Sequence, residues 1–123
     1  MWGGVITAIK NLAIDVKDFK KEEKESLGEL FEITSNLLIE VVDYFEKDEY
    51  PQVLCATIET LGNNIAKNMT RIIKKKNREE ILEYFKPFQS LSDEWDNRKN
   101  PEVLDDIRYA AGEFKGLSII FKT

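Results

Sequence analysis

The feature that most constrains this chain is the return of an apolar side chain every three or four residues, sustained from one end to the other. A helical turn of 3.6 residues brings such positions onto one face, whereas a strand would need strict alternation. The most regular stretch is Leu27, Leu30, Phe31, Thr34, Leu37, Leu38, Val41 and Phe45, with Glu29, Glu32, Asn36, Glu40 and Asp43 on the other side. An earlier stretch runs through Trp2, Val5, Ile6, Ile9, Leu12, Ala13, Val16 and Phe19. A third carries Leu54, Ile58, Leu61, Ile65, Met69 and Ile72, a fourth Ile81, Phe85, Phe88, Leu91 and Trp95. The last holds Val103, Leu104, Ile107, Ala110, Ala111, Phe114, Leu117 and Phe121.

Punctuation between the stretches is helical as well. The run from Lys20 to Glu25 marks a turn or an exposed helix start, and Pro51 suits the first turn of the next helix. Asn77 with Glu80 has the spacing of a capping box, and Asn100 before Pro101 reads as an N-cap. Lys74, Lys75 and Lys76 stand where a helix carboxyl end favours positive charge. Gly62 lies inside the third helix, where glycine costs about 1 kcal/mol against alanine, so close approach of a neighbouring helix is expected there. Pro87 interrupts the fourth stretch and predicts a kink or break near Lys86. Only the terminal Leu117–Phe121 has the composition of a strand.

Five amphipathic stretches need one another as cover, and short connections make neighbours antiparallel. The expected fold is all-α: an antiparallel up-and-down bundle of four to five helices, the fourth kinked or broken at Pro87, with residues 1–123 as one domain. A chain of 123 residues has room for one core of ordinary size. Its 42% apolar content with a net charge of −5 argues for a globule with a charged exterior rather than a disordered segment. Charge interrupts every apolar run, so no membrane-spanning helix is expected, nor a secretory signal. Cys55 is the only cysteine, which excludes an internal disulfide and suggests a cytoplasmic setting.

Histidine is absent, which removes the commonest general base and metal ligand together. One cysteine cannot build a thiolate zinc site, and no phosphate-cradling glycine loop follows Gly3 and Gly4. The acidic groups Asp93, Glu94, Asp96 and Asp105, Asp106 lack the spacing of a calcium loop and read as solvated faces. No catalytic, metal or cofactor site is therefore expected. Asn64 and Asn68 lean toward the third apolar stripe, either buried, where they could fix helix register, or at its margin. Cys55 reads as a small buried hydrophobe.

Two surfaces remain. Ile14, Ile39, Ile119 and Ile120 project away from the main apolar faces and form a candidate partner surface, centred on the carboxyl end. Arg71, Lys74, Lys75, Lys76 and Arg78 form a basic patch that could meet phosphates, although helix-end charge is the plainer account. The expected function is a non-enzymatic helical interaction module (adaptor, regulator or accessory subunit) whose partner is another protein, a second copy of itself, or both. A membrane-active bundle acting through its amphipathic first helix stands second, and nucleic-acid contact through residues 71–78 third.

Overall fold

The computed structural model describes residues 2–12, 19–72, 79, 82–83 and 85–123. Helices α1 (Trp2–Leu12), α2 (Lys21–Glu46) and α3 (Gln52–Ile72) are followed by a short α4 (Lys86–Ser90), a 3-10 helix (Leu91–Asn97) and α5 (Pro101–Lys122). The helices pack together, and no strand occurs among the described residues. The strand-like terminal run of Leu117–Phe121 is helical, because Leu117, Ser118 and Phe121, spaced i, i+1 and i+4, complete the buried face of α5.

Helix ends follow local chemistry. Helix α2 starts after Lys20, whose backbone N–H donates to the Glu23 carboxylate at 3.1 Å. It ends at Lys47 with Asp48 at φ 62°. Asp48 N–H then reaches Phe45 O at 3.1 Å and Glu49 N–H reaches Tyr44 O at 3.0 Å, the paired bonds of a Schellman ending. Pro51 stands immediately before α3 and its carbonyl accepts from Cys55 N–H. Asn100 caps α5 as expected, its side chain accepting from Glu102 N–H at 3.0 Å, with Pro101 in the first turn. Asn77 and Glu80 lie outside the described residues. Pro87 falls in the first turn of α4, after a turn at Phe85, so the missing N–H is one that a helix start leaves unpaired anyway.

The core is aromatic along its length. Trp2, Phe88, Phe114, Phe31 and Phe121 form a chain of ring contacts at 5.0–5.9 Å, mostly edge to face. Trp2 is wholly buried, and its indole Nε1 finds no hydrogen-bond partner among the described residues. Gly62 lies against Phe88: a Cβ there would overlap the Phe88 Cβ and ring, the close approach expected of it. Cys55 is buried, as expected of a small hydrophobe. Asn64 is exposed and Asn68 half-buried, bonded to Arg71 at 3.2 Å, so the margin reading of these asparagines holds and the buried one does not.

The most extensive seam joins α2 to α5. Ser35 hydroxyl donates to Ala111 O at 2.7 Å, Lys115 meets Glu32 at 3.4 Å and Lys122 meets Glu29 at 2.9 Å. As residue numbers fall on α2 they rise on α5, so this pair is antiparallel. Gly28 permits the approach, since a Cβ there would stand 2.8 Å from Lys122 Cγ and 3.3 Å from Ser118 O.

Candidate functional site

Helix α5 has one face in the core and two occupied edges. Its inner face buries Ile107, Ala110, Ala111, Phe114, Leu117, Ser118 and Phe121. One edge is held to α1, where Trp2 N–H donates to Asp106 at 3.3 Å and Lys10 pairs with Glu113 at 2.8 Å. The other edge is the α2 seam, with Lys115 and Lys122 on Glu32 and Glu29, and Arg108 on Glu46 and Asp105. What is left is an outward strip, and its content is not what a solvated face carries. Tyr109, Ile119 and Ile120 are 52%, 57% and 60% exposed. Between them stand Gly112 and Gly116, and a Cβ built on either would meet no atom within 4 Å.

Helical geometry places these residues together. Positions 109, 112, 116, 119 and 120 follow three- and four-residue steps, so they line one face over about 16 Å. The two glycines make a low floor, bounded by a tyrosine at one end and two isoleucines at the other. Neither glycine is explained by packing among the described residues, and each costs about 1 kcal/mol of helix propensity relative to alanine.

Ion pairs run along both edges. Hydrogen bonds from Lys122 and then Lys115 hold the Glu32 carboxyl below its usual range, while Glu32 and Glu29 raise Lys122. A hydrogen bond from Lys10 lowers Glu113 and raises Lys10 in return. These are exposed pairs, so they orient the edges more than they stabilise the fold.

Of the residues expected to form a partner surface, Ile39, Ile119 and Ile120 are exposed, and Ile14 lies outside the described residues. The structure does not gather the three into one patch. Ile39 follows Ser35 by one turn and so stands level with Arg108 rather than with Ile119. About eleven residues of helix, or roughly 16 Å, separate it from Ile119 along the seam. Tyr109, Gly112 and Gly116 were not singled out from sequence. The available signal was two glycines four residues apart inside an otherwise strong helix. Ile33, Tyr44 and Val53 are exposed too, but on edges of α2 and α3 turned away from α5.

The basic patch is described only at Arg71, which is exposed; Lys74, Lys75, Lys76 and Arg78 lie outside the described residues. Shallow clefts of about 240 and 450 Å³ open beside the start of α2, lined by Lys21, Lys24, Glu25 and Lys122 in one and Glu22, Ser26 and Glu29 in the other. Lysines predominate in the first and carboxylates in the second, with Glu25 and Lys122 common to both. Glu94 is the carboxyl pushed upward, by partial burial first and then by Asp106 and Asp93. Burial likewise raises the Cys55 thiol, which keeps it protonated and unreactive. Among the described residues no group of three acids or cysteines could hold a metal, and no helix is long and apolar enough to cross a membrane. Set beside known proteins, the chain matches no protein family, no curated protein and no solved structure, so the reading of α5 rests on its own chemistry.

Proposed function

We propose that this protein is a non-enzymatic interaction module of the cytoplasm, an adaptor, regulator or accessory subunit, and that the outward strip of α5 is the surface it uses. The observation that carries the reading is an exposed helix face of Tyr109, Ile119 and Ile120 around two glycines that no contact among the described residues requires. Bulky apolar groups beside a low floor provide what one helix offers another: anchors to bury and room for close approach. The rest of the bundle would be the rigid support. In this reading the elements alternate in direction as an up-and-down bundle with the fourth broken at Pro87, supported by the opposed contact order of α2 and α5.

The test pairs Ile119→Ser with Ile120→Ser. Circular dichroism should show an unchanged helical fold, since neither side chain is in the core. Proteins retained by the wild-type chain should then be lost to the double variant. Retention that does not change would remove the α5 face from the reading. Light scattering at high concentration tests the version with a second copy as partner: a strictly monomeric wild type, unaffected by the two substitutions, eliminates it. The reading in which α1 inserts into lipid must give up Trp2, Val5, Ile6 and Ile9, all buried in the fold, and liposome co-sedimentation with and without residues 1–20 decides it.

A further inference from the structure

The α5 strip is apolar, but the ground beside it is not neutral. Helix α2 holds eight carboxylates and two lysines between Lys21 and Glu46, more negative charge than the net −5 of the whole chain. Both lysines, Lys21 and Lys24, lie in its first turn, so the remainder of the helix is uniformly acidic. Part of this acid faces the α5 seam, and the contacts say which part. Glu32 and Glu46 both reach cations of α5, and they are two seven-residue steps apart. Seven residues return a helix to almost the same edge, drifting about 20°. Ile39, midway between them, therefore lies on that edge, and Asp43, one turn on, lies just outside it.

The cations of α5 do not balance this edge. Arg108 is shared between Glu46 and Asp105, and Lys122 between Glu29 and Glu32, with Lys115 also on Glu32. Asp43 has no ion-pair partner among the described residues. On the opposite side of α5, by contrast, Lys10 and Glu113 form a one-to-one pair. The surface is thus asymmetric: an apolar floor along α5, a negative edge along α2 and the Lys10–Glu113 pair along α1. A second copy packed antiparallel along α5 would bring its own acidic α2 toward this one, which Coulomb repulsion opposes.

We infer that the partner is a cationic amphipathic helix of another protein, lying along α5 with its lysines or arginines over the α2 edge. Its apolar side covers Tyr109, Ile119 and Ile120, and Gly112 and Gly116 let the two backbones approach closely. Asp43 and the shared carboxylates Glu29 and Glu46 meet the positive flank. This rests on the reading of α5 as a docking face and adds the chemistry of what docks there.

The experiment uses the full chain and three designed amphipathic peptides of about 18 residues, roughly 27 Å of helix. They share an apolar face of leucine and differ only in carrying lysine, glutamine or glutamate on the polar side. Binding is followed by the backbone amide signals of Gly112, Gly116 and Ile119. The lysine peptide should shift these signals, the glutamine peptide should bind about tenfold more weakly, and the glutamate peptide should leave them in place. Asp43→Lys should weaken the lysine peptide several-fold and flatten its salt dependence, with the fold unchanged because Asp43 is exposed. Glutamine or glutamate peptides binding the α5 face as tightly would overturn the cationic partner and leave the docking face standing. No shift on α5 from any peptide would overturn both. Concentration-dependent shifts of the same amides without peptide would assign the face to a second copy instead.

Discussion

Gly62 and the pair Gly112, Gly116 are all glycines inside helices, and they show opposite surroundings. At Gly62 the missing side chain is replaced by a neighbour, since Phe88 fills the space and passes the contact on to Trp2 and Phe114. At Gly112 and Gly116 the space is open. A glycine that costs helix propensity and is repaid by packing is a structural residue. One that costs the same with none of the described residues against it points outward, to a contact that those residues do not supply. Gly28 lies between the two cases, with the aliphatic stem of Lys122 and the backbone of Ser118 against it.

Substitution by alanine separates these cases by sign as well as size. Gly62→Ala should be the most damaging, about 2–3 kcal/mol, because overpacking at a tight helix contact outweighs the gain in propensity. Since the overlap includes the Phe88 Cβ, trimming the ring with Phe88→Leu should not restore stability in the double variant. Urea denaturation of the three variants checks both statements, and a mild Gly62→Ala would mean that α4 is not held where the aromatic core requires.

Gly28→Ala should cost about 1 kcal/mol, less than Gly62, because Lys122 can move whereas the Ser118 carbonyl cannot. Its more specific mark is electrostatic. Displacing Lys122 from Glu29 and Glu32 should let the Glu32 carboxyl return toward its ordinary range, which a titration followed by NMR reads directly. Gly112→Ala and Gly116→Ala should instead stabilise the isolated chain, by about 0.4–1 kcal/mol each, through propensity and a less flexible unfolded state. If either destabilises, its glycine is doing something inside the fold and the contrast fails.

Much of this fold was legible because it depends on local rules. The stripes of α2 and α5 state which side is buried, Asn100 with Pro101 states where α5 begins, and Gly62 was expected at a helix contact. Other features depend on partners distant in sequence. Nothing local tells that Lys122 meets Glu29 and Glu32, or that Trp2 enters the ring cluster of Phe88. The candidate site was half legible for the same reason. Exposure of Ile39, Ile119 and Ile120 follows from the period, but their separation on the surface depends on the register of α2 against α5, which Ser35 and Ala111 fix. Tyr109 escaped because an exposed tyrosine is unremarkable until the open glycines beside it are seen.

The comparison extends to one position whose backbone suits glycine but which holds another residue. Asp48 ends α2 at φ 62°, where a side chain is strained, and its carboxylate is held by Arg98 at 2.6 Å and Lys99 at 3.4 Å. Arg98 in turn lies over the Trp95 ring at 3.8 Å, so the turn is tied to the 3-10 helix through one carboxylate. Hydrogen bonds from Arg98 and then Lys99 keep the Asp48 carboxyl below its usual range. A pKa lower in the folded than in the unfolded chain gives stability that is present above the unfolded value, about 4, and lost as pH falls through the folded one. Asp48→Gly removes both the backbone strain and this pH-dependent tie. The variant should therefore gain on the wild type as pH drops from neutral to 3 and below, by a small amount because the group is exposed. Denaturation curves across that range measure the difference. One that does not change with pH would show that the ion pairs contribute nothing to this turn, leaving the strained backbone of Asp48 without compensation from Arg98.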